Sequence, residues 1–296
     1  MRAASPGEVR RTQPWLGTLV EIAAAGASAR VLERGMRAAF AAVAEVHRLL
    51  SFHDPLSELS RLNREAATRA IVVHPWTWRV LRLADRIAEK SAGIFDPTIA
   101  PRLTALDFLP HPGAPSAKAS ARWSDVHLDA GRRVRFACPL WLDLGGIAKG
   151  FAVDRAIEAL RAAGIPEGLV NAGGDLRAFG PRAWPVHLRA PDSPGRSDVV
   201  LELQDAALAT SALYFSKKTR ARRLLTPLLH GRTRRCCTAA RSVTILARDC
   251  ATADALTKVV FARPRCAGAI LRAFRARALV LAAGRAPVQI PQNDAP

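Results

Sequence analysis

Apolar residues recur at helical spacing over residues 30–50, where Val31, Met36, Phe40, Val43, Val46 and Leu50 punctuate an alanine-rich stretch. The same period predicts a helix over residues 76–91, with Gly93 as its terminator. It predicts another over 151–163, where Val153, Ala156, Ile157 and Leu160 share one face and Gly164 follows. Residues 57–63 read as a short helix with Ser57 as N-cap, and residues 251–261 and 267–275 as two further helices. β-branched and alternating runs predict strands over 18–23, 169–171, 186–190, 199–203, 242–247 and 278–282. The runs at 186–190 and 199–203 flank a turn-rich insert, PDSPG. Two prolines make residues 93–102 a loop, and residues 110–124 are Pro-, Ala- and Ser-rich and expected to be exposed. The run Cys138, Leu140, Trp141, Leu142 is expected to be a strand leading into a glycine-rich turn. Neither an internal repeat nor a linker interrupts the pattern. The expected organisation is an N-terminal extension over 1–14, one large domain over 15–286 and a frayed tail over 287–296.

Composition narrows the class. The chain has 296 residues, 49% hydrophobic and 23% charged, enough to bury a full core. No apolar run approaches the ~20 residues of a membrane span. The formal charge of +19 is mostly arginine scattered along the chain, and aromatics are only 6%. Such a charge suits anionic ligands, acidic surfaces or nucleic acid. The scatter, with no aromatic-interleaved basic block, makes most of it solvated surface, and nucleic acid is not the expected partner. The cysteines Cys138, Cys236, Cys237, Cys250 and Cys266 are odd in number and form no CxxC pair, so neither a zinc site nor a disulfide framework is indicated. The N-terminus carries Arg10 and Arg11 but no apolar h-region behind them, and the chain as given is expected to be cytoplasmic.

The candidate chemistry lies in two glycine-paired segments, LDLGGIAKG (142–150) and NAGGDL (171–176), each with an Asp beside a Gly pair. Strand, glycine-rich turn, helix is an order that aims backbone N–H groups and a helix N-terminus at an anion. Neither a GxxxxGK[ST] loop nor a GxGxxG fingerprint is present. Two readings of the turn stand side by side: a phosphate-contacting turn, or a structural turn at a strand end.

In order along the chain stand WLGTLVEI (15–22), LSFHDPLSELSRLN (50–63), GIFDPTIAP (93–101), LDLGGIAKGFAVDRAIEAL (142–160), LVNAGGDLRAFG (169–180), LATS (208–211) and ADALTK (253–258). Together they resemble the ApbE family of FAD:protein FMN transferases. The resemblance implies an α+β fold related to the T-fold, sheet and helices interwoven in a single large domain. It implies FAD as substrate and Mg2+ as cofactor, with FMN moved onto a Ser/Thr hydroxyl of an acceptor flavoprotein and AMP released. It would place Asp143 and Lys149 at the FAD, with the Gly145–Gly146 backbone beside the pyrophosphate and metal. Leu16 and the segment Leu106, Asp107, Phe108 would lie at the flavin, and Asp254 would be the metal-ligating carboxylate.

Two departures from the family pattern bear on mechanism. The family has Thr four residues after the Asp of its ADA motif, and here that position is Lys258, with Thr257 just before it. An ammonium cannot ligate magnesium but can stand in for a cation against a phosphate; alternatively Thr257 ligates and Lys258 points to solvent. The family segment T-H-I-I-D-P-R-T-G-R aligns with TPLLHGRTRR (226–235), where Pro227 replaces the His, His230 the Asp and Arg234 the Gly. The acceptor base then falls to Asp254 or His230. The nearest rival reading keeps the fold and FAD but lacks transfer, as a flavin-binding or FAD-hydrolysing protein. A rival of another class, a basic nucleic-acid-binding protein, rests on charge alone.

Overall fold

A computed structural model describes residues 7–191, 195, 197–213, 217–220 and 222–290. The strands are β1 (Val9–Trp15), β2 (Thr18–Ala25), β3 (Ile71–Val72), β4 (Val126–Asp129), β5 (Arg133–Phe136), β6 (Glu167–Ala172), β7 (Asp175–Phe179) and β8 (Trp184–Arg189). They continue with β9 (Ser197–Leu203), β10 (Ala207–Ala212), β11 (Lys218–Arg220), β12 (Arg223–Leu225), β13 (Arg241–Ala247), β14 (Arg277–Ala282) and β15 (Val288–Ile290). The helices are α1 (Ala29–Leu50), α2 (Glu58–Glu65), α3 (Pro75–Lys90), α4 (Ala100–Ala105), α5 (Ala148–Ala162), α6 (Cys250–Ala262) and α7 (Gly268–Ala273). Among the described residues none of the helices is long and apolar enough to cross a membrane.

Eight of these strands form an antiparallel sheet in the order β1-β2-β6-β7-β10-β13-β14-β15. Alternation along each strand supplies both faces. On one face Val20, Ile22, Ala24, Val170 and Ala172 pack with α1 and α5, and Val243 and Ile245 join Leu256, Val259 and Val260 of α6. The other face presents Ala23, Leu169, Ala178 and Leu208 to Trp184, Val186 and Leu188 of the β8–β9 hairpin. A small sheet, β3-β5-β4, lies with α2 and α3. Its Val134 and Phe136 belong to the same core cluster as α6 and β13, so that cluster joins the small sheet to the main one within the α+β fold.

Four sequence expectations change. The run over 138–142 is buried at Leu140, Trp141 and Leu142 but forms no strand. Its backbone groups pair with a side chain instead: Asn63 donates Nδ2–H to the Leu142 carbonyl at 3.0 Å and accepts the Leu142 N–H at 2.8 Å. The prolines do not keep 93–102 wholly a loop, because Pro101 sits in the first turn of α4, where its missing N–H costs nothing. Residues 9–14 are not a free extension but pair with β2, and residues 288–290 pair with β14. Residues 1–6, 192–194 and 291–296, parts of the expected extension, PDSPG insert and tail, lie outside the described residues.

Candidate active site

A cavity of about 940 Å3 opens between the sheet and the loops above it. That is the size of a small-molecule or cofactor site. Its apolar wall includes Leu16, Leu50, Phe52, Leu103, Phe108 and Leu229, and its polar groups include His53, Asp143, Lys149, Ser211 and Lys258. Leu16 and Gly17 are the central residues of the β1–β2 turn, with φ of 57° and 71°. The two-residue hairpin loop demands that left-handed pair, and it holds a leucine where glycine is usual, on the cavity wall.

The floor is built where α5 and α6 begin. The Asp154 carboxylate of α5 accepts the N–H groups of Cys250 and Ala251 at 2.9 Å each, at the start of α6. The Asp254 carboxylate of α6 accepts the Gly150 N–H at 3.2 Å, at the start of α5. Each helix thus caps the other and answers its partner's positive end. A Cβ on Gly150 would lie 2.2 Å from the Cys250 carbonyl oxygen, so only glycine lets the two N-termini approach. The turn before α5 is self-contained. The Gly145 N–H goes to Asp143 Oδ1 at 2.9 Å, and those of Ile147 and Ala148 go to the Leu144 carbonyl at 3.0 and 2.8 Å. The expectation that this turn aims its N–H groups at an anion is therefore not met at Gly145, Ile147, Ala148 or Gly150. Groups within the turn satisfy the first three, and the Asp254 carboxylate satisfies Gly150.

Positive charge at the floor comes from two ammonium groups. Lys149 Nζ lies 2.7 Å from Asp175 Oδ2 and 3.5 Å from Asp254 Oδ2. Lys258 Nζ bonds Asp254 Oδ1 and, at 3.0 Å, the Asp254 carbonyl oxygen. Asp254 is fully buried, whereas the side chains of Lys149 and Lys258 keep 30% and 18% of their exposure, so the cations face the cavity and the carboxylate lies behind them. Burial by itself lowers the Lys149 pKa, but Asp175 and Asp254 outweigh it and hold the ammonium above the ordinary lysine value. Burial raises Asp254, yet the two lysines and the Gly150 N–H bring it below the usual carboxylate range. Asp175 goes the other way, raised by burial and then by the neighbouring Asp254 charge.

The predicted residues separate into three places. Leu16, Phe108, Asp143, Gly146, Lys149 and Lys258 line the cavity. Asp254 and Thr257 lie one layer behind it, both fully buried. The Thr257 hydroxyl donates to the Asp254 carbonyl at 2.6 Å and pairs with Ser211 Oγ at 2.7 Å. Leu106, Asp107 and His230 are off the wall. Leu106 packs with Leu103 and Leu229, and Asp107 is exposed, 3.2 Å from Arg220. His230 sits half-buried in a turn that bonds Arg235 and Arg234, and burial, with Arg263 adding to it, lowers its pKa. Sequence reasoning did not name Asp175, although NAGGDL marked its neighbourhood, nor Thr210 and Ser211 of the LATS run. It also missed what Arg234 does. With φ of 56°, Arg234 holds a left-handed backbone, a conformation that favours glycine. Its guanidinium bonds Asp96, Thr98 Oγ1 and the Ala121 carbonyl, each at 3.0 Å.

Residues 16–279 match the ApbE family. The chain is 28% identical over 235 residues to a FAD:protein FMN transferase of Treponema pallidum, covering 70% of this chain and 65% of that protein. It is 31% identical over 265 residues to one of Rhodobacter capsulatus, covering 84% of this chain and 50% of that protein. The chain thus spans about two thirds and one half of the lengths of these curated relatives. Among solved structures, an ApbE protein of Thermotoga maritima superposes with TM-score 0.84 at 25% identity, covering 95% of this chain and 96% of that one. The flavin transferase ApbE of Vibrio cholerae superposes with TM-score 0.78 at 23% identity, covering 95% and 96%.

Proposed function

The chain belongs to the ApbE family, and we propose that it is a FAD:protein FMN transferase acting on an acceptor flavoprotein. The observation that carries the proposal is the pair of ammonium groups at the floor of a largely apolar, cofactor-sized cavity. Apolar walls suit the isoalloxazine and the cations suit the diphosphate. In the reaction the acceptor Ser/Thr oxygen forms a bond to the FMN phosphorus as the bond from that phosphorus to the bridging oxygen breaks. AMP leaves with that oxygen, and the acceptor's hydroxyl proton is released. Such transfer needs positioning and charge neutralisation above all, and Lys149 and Lys258 are the groups placed to supply charge.

Of the candidate bases, Asp254 is buried behind both lysines and His230 is off the wall. Asp143 stands on the wall with its pKa raised by burial, and we take it as the proton acceptor. We read the donor set as unfit for magnesium. The Asp254 oxygens are taken by two ammonium groups and a backbone N–H, and the Thr257 hydroxyl is committed to Ser211 and the Asp254 carbonyl. Among the described residues no group of three or more His, Cys, Asp or Glu is disposed to hold a metal. A second reading, hydrolysis of FAD to FMN and AMP without transfer, is favoured by Pro227 on the wall where the family carries His.

Incubating the protein with FAD and a threonine-bearing acceptor domain tests these readings. The proposal expects a covalently fluorescent acceptor band with one AMP released per flavin attached. Free FMN and AMP with an unlabelled acceptor would establish the hydrolase instead. Calorimetry showing no FAD binding at about 100 μM protein, roughly −5.5 kcal/mol, would discard both.

A further inference from the structure

We propose that the Lys258 ammonium takes the place of a divalent cation at the diphosphate, so that this chain binds FAD without magnesium. The inference rests on the FAD-binding reading of the cavity. An ammonium carries three donors and one positive charge on a flexible stem. Two donors of Lys258 are accounted for by Asp254, one by Oδ1 and one by the main-chain carbonyl. The third is left for an oxygen in the cavity that Lys258 lines. The stem reaches this point beside Gly146, where a Cβ would sit 3.5 Å from Lys258 Cε and 3.4 Å from the Phe95 ring. The Lys258 stem thus runs in van der Waals reach of the turn, which places the ammonium beneath it.

The groups around it complete the case. A metal at Asp254 would have to displace Lys258 from Oδ1 and compete at Oδ2 with Lys149, 3.5 Å away, and with the Gly150 N–H. It would then stand between two cations with one fully buried carboxylate in its shell. The hydroxyl that would have to complete that shell, on Thr257, faces β10 and bonds Ser211. Helical geometry couples these facts, because successive side chains are turned by about 100°. A roll that puts residue 258 at the cavity turns residue 257 away from it.

The test is FAD affinity, read by flavin fluorescence or calorimetry, in EDTA and in millimolar magnesium. Wild type is expected to bind equally in both buffers. Lys258→Met should weaken binding about tenfold or more in either buffer, and Lys258→Arg should retain it. Lys258→Thr should bind weakly in EDTA and recover in magnesium, now that a hydroxyl occupies the position. Far-UV circular dichroism of each variant shows whether it is folded, and the wild-type and Lys258→Arg comparison stands if Lys258→Met is not. A wild type whose FAD affinity rises tenfold or more with magnesium overturns the inference while leaving the cavity reading intact. So does a folded Lys258→Met that binds FAD as wild type does in EDTA. A wild type that binds no FAD in either buffer overturns the cavity reading and this inference with it.

Discussion

Asp175 is 3% exposed and sits behind Lys149, with the negative Asp254 for a neighbour. Burial and that charge raise its pKa to about 6, so it gains a proton before Asp254 as pH falls. Each proton taken up leaves more uncompensated positive charge facing the cavity. FAD affinity should therefore rise as pH drops from 8 toward the raised Asp175 pKa, with net proton uptake on binding. Calorimetry in buffers of different ionisation enthalpy measures that uptake. His47 and His53 also stand on the wall, so the informative quantity is the difference between wild type and Asp175→Asn. An unchanged uptake in Asp175→Asn would remove Asp175 from the account. Arg234 shows the same scale in a structural role. Its guanidinium answers the Asp96 carboxylate, whose side chain is 1% exposed, and so ties the 226–235 turn to the cavity loop.

At the scale of elements, the paired starts of α5 and α6 hold the floor together. Asp154 caps α6 from α5 and pairs with Arg177 at 2.6 Å. Asp154→Ala should cost about 3 kcal/mol, since it strands both a buried N-terminus and a half-buried guanidinium. Urea unfolding at pH 7 reads the loss. Burial outweighs Arg177 and the two N–H groups and lifts Asp154 to about 6, from an ordinary 3.8. The folded state then holds a proton that the unfolded chain has already lost. The associated stability is fully present below about pH 4 and disappears as pH rises through about 6. Asp154→Asn should flatten that slope in a stability–pH profile. Gly150→Ala drives a methyl toward the Cys250 carbonyl, 2.2 Å from the ideal Cβ, and should cost at least about 2 kcal/mol through forced separation of the helices.

Over the whole molecule, one apolar cluster joins Leu59 and Leu62 of α2, Val80 and Leu81 of α3, Phe136 of β5, Leu142 and Leu144 of the turn, and Ile245 and Leu256. The cavity floor is thus an outgrowth of the core. Unfolding should be a single transition in which far-UV circular dichroism and tryptophan fluorescence coincide. The tryptophans report on both sides of the main sheet, with Trp141 in the large cluster and Trp184 on the β8–β9 hairpin. Separated midpoints would mean that the small sheet with α2 and α3 unfolds apart from the main sheet.

Local chemistry made much of this legible in the sequence. The periods over 30–50 and 76–91 placed α1 and α3 to within a residue at their N-terminal ends, because one-sided burial writes an amphipathic stripe. Ser57 was readable as a cap because its side chain does accept the Ser60 N–H, at 3.0 Å. The glycine-paired motifs marked where the chain crosses the cavity floor. Short strands such as β3 and β15, of two and three residues, leave too little pattern to read. The sequence left open whether Thr257 or Lys258 meets the ligand, and it could not settle the question. Ten of the eleven residues from 250 to 260 in α6 are buried, Thr252, Asp254 and Thr257 among them, so polar and apolar residues do not separate into a stripe that would fix its roll. That roll is set by the Asp154 and Asp254 caps, contacts made by residues about 100 positions apart. Only the tertiary structure, by joining those caps, decides that an ammonium faces the cavity and a hydroxyl faces the sheet.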